Sequence, residues 1–252
     1  NLSMTLVSNS GFLPTNLLSQ IIKTNTQELL LILSLLISSM NIFLIFSLFF
    51  NKYAIKDHYE DFGIFVLIVF FTLVLLITVK GSNLTNILIN ILTSLSSSGI
   101  SIDPMSSNLS LYFIILTIIG GSLISNTSGI KFLRIFILLK TASLEIFKLV
   151  KPYNITNKNI LFSDKKITDN NIKMSFLIFI SFFLSIFILS GILLLDNINF
   201  EKSFKLSILT LTNTVNSELY GISDINFNYL LTSSKISLII FMIIGKIELI
   251  SF

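Results

Sequence analysis

Cysteine is absent and histidine occurs once, as His58, in a chain of 252 residues. Without cysteine there are no disulfides, thiolate metal sites or cysteine nucleophile, and one histidine excludes a multi-histidine metal centre. Charge is scarce as well: 12% of residues are Asp, Glu, Lys or Arg, against roughly 25% in a soluble domain. There is no Gly-rich phosphate loop and no acid or His/Asp pair within the apolar runs, so a membrane-embedded enzyme finds no support and the chain does not read as an enzyme. What is present is apolar: 53% hydrophobic residues, 24 of them Phe, and a mean hydropathy of +0.89. The net charge of +4 does not argue for nucleic acid, which needs a basic patch on a wettable surface.

Charge-free runs decide the class. Leu29–Asn51 is 23 residues long, Phe62–Val79 is 18, Pro104–Ile130 is 27 and Met174–Leu195 is 22. Each has the length of about 17–25 residues that an α-helix needs to cross the hydrocarbon layer. A further run, Ile225–Phe252, is interrupted by Lys235, Lys246 and Glu248. These runs predict an all-α polytopic membrane protein. Residues 131–173 hold nine of the 17 basic residues and three acids, which places that loop in the cytoplasm by the positive-inside rule. Alternation then puts 52–61 inside, and 1–28, 80–103 and 196–224 outside. The first methionine is Met4 and the chain stops inside an apolar run, so both ends read as cuts in a longer protein.

Two outside segments are not ordinary loops. Residues 84–98 read LTNILINILTSLSSS and run into Gly99, while 203–217 read SFKLSILTLTNTVNS. Both are apolar, rich in Ser and Thr, and too short to span. The unit of span, short half-helix, Ser/Gly turn and span recurs at 62–130 and 174–252, and in part at 1–51. Backbone that enters a bilayer without completing a helix must be buried in protein or line a water-filled cavity. Rings of carbonyls from such turns can replace an ion's hydration shell. Helices lying in the membrane interface are the alternative at this stage.

Several motifs follow one another in an order that resembles the Trk/Ktr/HKT potassium transporters, in the TrkH branch. Ser96–Ser97–Ser98–Gly99–Ile100, followed by Asp103, is similar to that family's third pore loop, and Ser8–Asn9–Ser10–Gly11–Phe12 to its second. Ile119–Gly120–Gly121–Ser122 through Lys131, then Arg134, resembles the Gly/Ser-rich break in a helix of its third repeat. Gly245–Lys246–Ile247–Glu248 resembles its Gly-Arg-Leu-Glu signature.

The resemblance implies helix–pore-loop–helix repeats in a pseudo-fourfold arrangement around an ion path. Residues 1–51 then end the second repeat, 52–140 form the third, 141–172 are a basic cytoplasmic linker, and 173–252 form a fourth repeat cut at its C-terminus. Filter carbonyls would come from Ser8, Asn9, Ser10 and Gly11, from Ser96, Ser97, Ser98 and Gly99, and from Asn216, Ser217, Glu218 and Leu219. Leu219 stands where the family has glycine. A gating loop would comprise Gly120, Gly121, Ser125, Asn126, Thr127, Ser128, Gly129 and Lys131, stiffened because Ile124, Thr127 and Ser128 replace family glycines. Lys246 stands at the family's pore arginine. The residues themselves leave other roles open: small-residue helix packing for 120–129, snorkelling for Lys246, an ordinary outside acid for Glu218, an exposed loop for His58.

Potassium uptake is the implied activity, with K+ as cargo and no cofactor. The implied partners are the lipid bilayer, a second copy in a homodimer and a cytosolic nucleotide-binding regulatory subunit, with no nucleic acid. The implied location is the plasma (inner) membrane. A non-selective or Na-coupled cation transporter, or a non-conducting fragment of a split transporter gene, are the competing readings.

Overall fold

The computed structural model describes residues 2–9, 21–44, 47, 58–79, 83–102, 109–150, 166–196, 198–214, 218–222, 225 and 227–247. Among these the bounded helices are α1 (Leu2–Ser8), α2 (Asn25–Ser39), α3 (Tyr59–Thr78), α4 (Leu84–Leu95), α5 (Ser110–Ile119), α6 (Phe132–Val150), α7 (Asp169–Leu194), α8 (Phe200–Leu211) and α9 (Thr232–Ile247). Short 3-10 turns follow at Glu218–Tyr220 and Phe227–Tyr229.

Local chemistry explains several boundaries. Gln27 Oε1 accepts the Lys23 and Thr24 N–H groups at 2.8 and 3.3 Å, closing the start of α2 in the manner of a capping box. Thr168 Oγ1 accepts from the Asn171 N–H at 3.3 Å to begin α7, and Asp169 in the first turn complements the helix dipole. α5 stops at Gly120, whose φ of 66° and ψ of −173° form a backbone state essentially reserved for glycine.

α3 and α7 have 20 and 26 residues, mean hydropathies of 2.6 and 2.8, and only 33% and 28% of their apolar windows buried. At about 1.5 Å per residue each reaches the roughly 30 Å of a bilayer's hydrocarbon. A core helix of a soluble protein would be mostly covered; here Phe65, Phe70, Leu73, Leu177, Leu184 and Phe187 face outward. Contiguous apolar surface of this kind fits lipid as its solvent.

The short helices behave oppositely. In α4 every residue from Ile89 to Leu95 is buried, and in α8 every residue from Lys205 to Leu211. Each has 12 residues, about 18 Å of rise, which is too little to span. α4 packs between α3 and α5, and α8 between α7 and α9. Contacts of α2 with α4 and of α5 with α8 join successive units. One apolar core runs through them, including Leu35, Ile64, Ile91, Phe113, Leu189 and Leu209.

One run-length expectation changes, and one helix crosses an expected boundary. The run from Leu29 is broken: α2 ends at Ser39 and Met40 is extended, with φ −89° and ψ 172°. α6 continues unbroken through the expected boundary between residues 140 and 141.

Candidate functional site

Helices α4 and α8 end in turns of one kind. After α4, the Ser96 N–H donates to Leu92 O at 2.8 Å, and the Ser98 and Gly99 N–H groups both donate to Thr93 O at 3.0 and 3.2 Å. Ser97 and Gly99 take positive φ, 61° and 66°. After α8, Thr212 donates to Ile208 O at 2.9 Å and Thr214 to Leu209 O at 2.9 Å, with Asn213 at φ 51°. The side chains repeat as well: Ser96 and Ser98 hydroxyls lie 3.1 Å apart, Thr212 and Thr214 hydroxyls 2.5 Å. Asn9, after α1, has φ 49°. Helix C-termini carry partial negative charge, and α4 and α8 both run directly into these turns.

This geometry sets a register. α4 and α8 match residue for residue at an offset of 116 (Leu211 minus Leu95). Ser96, Ser97 and Ser98 therefore correspond to Thr212, Asn213 and Thr214. By this register the counterpart of Gly99 is Val215, and Leu219, expected in the glycine's place, stands four positions further on. Leu219 lies in the 3-10 turn beyond and is buried in the apolar core. Asparagine tolerates the left-handed region, which suits Asn213 to the conformation that Ser97 takes in the turn after α4. Ser10, Gly11, Val215, Asn216 and Ser217 lie outside the described residues.

Behind these turns, side chains tie α4 and α5 to α8 and to the 3-10 turn Glu218–Tyr220. The fully buried Tyr220 donates its hydroxyl to Ser94 Oγ at 3.4 Å. Lys205, with 9% of its side chain exposed, reaches Glu201 Oε1 at 2.7 Å and Ser110 Oγ at 3.4 Å. The Lys205 hydrogen bond and charge hold the Glu201 carboxyl below the usual carboxylate range.

The break between α5 and α6 is a compact loop. The Ile130 N–H bonds Ile118 O at 2.9 Å and the Phe132 N–H bonds Gly121 O at 3.1 Å, closing its base. Inside it, Thr127 Oγ1 accepts the Gly121 N–H at 3.0 Å and lies 2.7 Å from Ser125 Oγ. The buried Lys131 ammonium donates to Ser125 O at 3.2 Å, Thr127 Oγ1 at 3.1 Å and Thr127 O. Ser128 and Gly129 are buried beside it.

Lys246 reaches this loop from α9, with Nζ 3.2 Å from Asn126 O. The ammonium is therefore engaged by the loop rather than directed to a lipid headgroup. Asn126 in turn donates its amide to Val7 O, 2.9 Å away in the last turn of α1. One residue thus bridges the loop, α9 and the end of α1. A Cβ on Gly245 would collide with Leu211 O, so the glycine beside Lys246 serves the close approach of α9 to α8.

Three residues here were missed or misjudged from sequence. His58 is not an exposed loop residue: its Nε2 lies 2.7 Å from Ser47 Oγ and its Nδ1 3.4 Å from Asp61 Oδ2. Glu60 and Asp61 open α3 and both accept backbone N–H groups, from Leu123 at 2.6 Å and Asn41 at 2.8 Å. Only their position beside an apolar run could have signalled this. Among the described residues no group of His, Cys, Asp or Glu is arranged to hold a metal ion.

No protein-family model and no curated protein matches the chain. Among solved structures, the potassium transporter TrkH from Vibrio parahaemolyticus matches with a TM-score of 0.84 over 97% of this chain, at 19% identity. The chain has the TrkH fold. It spans 55% of the length of that TrkH chain, about half.

Proposed function

We propose that this chain forms part of a potassium-uptake pathway, in which backbone carbonyls of the turns after α1, α4 and α8 line the ion path. The repeated turn geometry at Ser96–Gly99 and Thr212–Thr214 carries the reading. Two further features support it. The Asn9 amide and Ser97 hydroxyl are buried and without a hydrogen-bond partner among the described residues. Leaving such a group unpaired costs about 1–3 kcal/mol, which an ion or its water offsets. The negative ends of the pore helices favour cations at the same place.

The loop Gly120–Lys131, braced against α1 by Asn126 and approached by Lys246, acts as the gate. The protein works in a lipid bilayer, in the plasma (inner) membrane, with residues 131–173 cytoplasmic. A homodimer and a cytosolic nucleotide-binding regulatory subunit complete the proposed assembly. One observation favours a second reading, a non-selective or Na-coupled cation transporter: Val215, a β-branched residue, stands in register with Gly99, and such residues resist positive φ.

The full-length protein is expected to restore growth of a cell deficient in potassium uptake at low external potassium. Failure with the protein present in the membrane counts against the reading. Lys246→Ala should raise the maximal uptake rate, because it removes both a positive charge and the Asn126 contact. An unchanged rate would show that Lys246 does not restrict the path.

A further inference from the structure

We propose that the adjacent carboxylates Glu60 and Asp61 form a two-pronged latch that sets the resting position of the loop Gly120–Lys131. The inference rests on reading that loop as the gate. Both acids lie in the first turn of α3. Successive helix positions point about 100° apart, so one pair of neighbours reaches two different segments. Glu60 Oε1 takes the Leu123 N–H, within the loop, at 2.6 Å. Asp61 Oδ1 takes the Asn41 N–H, just past the broken end of α2, at 2.8 Å.

The two captured segments also hold each other. The Ser122 N–H donates to Ser39 O at 3.0 Å, and the Ile42 N–H donates to Ile124 O at 3.2 Å. The loop is therefore fastened to the second repeat's helix break by backbone pairing, and both partners are pinned from α3 by a carboxylate. Hydrogen bonds of N–H groups to a charged acceptor are roughly twice as strong as neutral ones. The Lys131 and Arg134 side chains lie within electrostatic reach of Glu60. His58, beside the second oxygen of Asp61, steadies that prong. Opening the gate by moving residues 122–124 must break the Glu60 contact together with this backbone pairing. Glu60 is thus a positioning residue that biases the loop toward its closed arrangement.

The test compares Glu60→Ala, Glu60→Gln and Gly99→Val in the full-length protein by rubidium uptake, with each variant's membrane content measured. Glu60→Ala removes the acceptor and is expected to raise the maximal rate about tenfold at unchanged KM, the shift from losing one charge-assisted bond in the closed state. Glu60→Gln keeps an acceptor oxygen and should restore most of the wild-type rate. The latch is overturned if Glu60→Ala has the wild-type rate, or if both variants fall only in step with their membrane content. Should Glu60→Ala not reach the membrane, Glu60→Asp, one methylene shorter, takes its place with the same expected rise; a wild-type rate there also overturns the latch. Gly99→Val separates the two layers. If it leaves uptake intact the pathway reading itself fails, and if it abolishes uptake while Glu60→Ala changes nothing, only the latch does.

Discussion

Gly99→Val in the full-length protein is expected to abolish potassium uptake while leaving the amount of protein in the membrane unchanged. Gly99 has φ 66°, a region that a β-branched residue enters only as an outlier. Its N–H shares Thr93 O with that of Ser98, so the turn cannot relax around a new side chain without losing one of these bonds. Strain of about 1–3 kcal/mol, relieved by rotating a peptide plane, turns a carbonyl away from the path. Spent entirely on the conducting arrangement, that energy corresponds to about 5- to 150-fold in rate. The missing carbonyl then leaves a dehydrated ion short of a ligand, which takes the loss to the top of that range. Rubidium uptake at the wild-type rate in Gly99→Val would remove these turns from the pathway.

Lys131→Met should produce the second-largest effect: a leak of cations together with a lower thermal stability. The substitution keeps length and apolar stem but removes the ammonium that bonds Ser125 O, Ser125 Oγ, Thr127 O and Thr127 Oγ1. Buried acceptors left unsatisfied cost about 1–3 kcal/mol each, and those that water cannot reach destabilise the closed loop. Lys131 also repels Lys246 and Arg134, so its loss lowers the positive barrier along the path. The combination distinguishes it from Lys246→Ala, which removes a single contact to the loop and should raise flux with little change in thermal stability. A purely structural Lys131 would lower the unfolding temperature of the purified protein without increasing cation leak in proteoliposomes.

The two substitutions differ in how visible their sites are to sequence reading. Gly99 is marked by its Ser-Ser-Ser-Gly context and by the apolar half-helix before it, and the Gly120–Gly129 break by small polar residues inside an apolar run. The fourth turn was misplaced because a turn is defined by dihedral angles and hydrogen bonds, not by one residue type. Thr-Asn-Thr makes at 212–214 the bonds that Ser-Ser-Ser makes at 96–98. The signal that could have set the register was the pair Asn83 and Asn199, each preceding a helix of equal length. Glu60 and Asp61 carried weaker signs still, since acids at the edge of a loop read as solvated. Their partners are main-chain N–H groups 63 and 20 residues away, and backbone donors have no sequence signature.

By itself the sequence determined the membrane class, the repeated short-helix units and the place of the helix break. These follow from quantities summed along the chain: apolar run length, charge distribution, and the spacing of small polar residues. The tertiary structure alone decided the geometry of the turn after α8, the engagement of Lys246 with Asn126, the Tyr220 and Lys205 ties behind the turns, and the contacts of Glu60 and Asp61 with Leu123 and Asn41. Each of these depends on which buried donor meets which acceptor across distant segments. In an apolar interior that pairing is enforced by the cost of leaving polar groups unpaired, and it is settled only when the helices are packed.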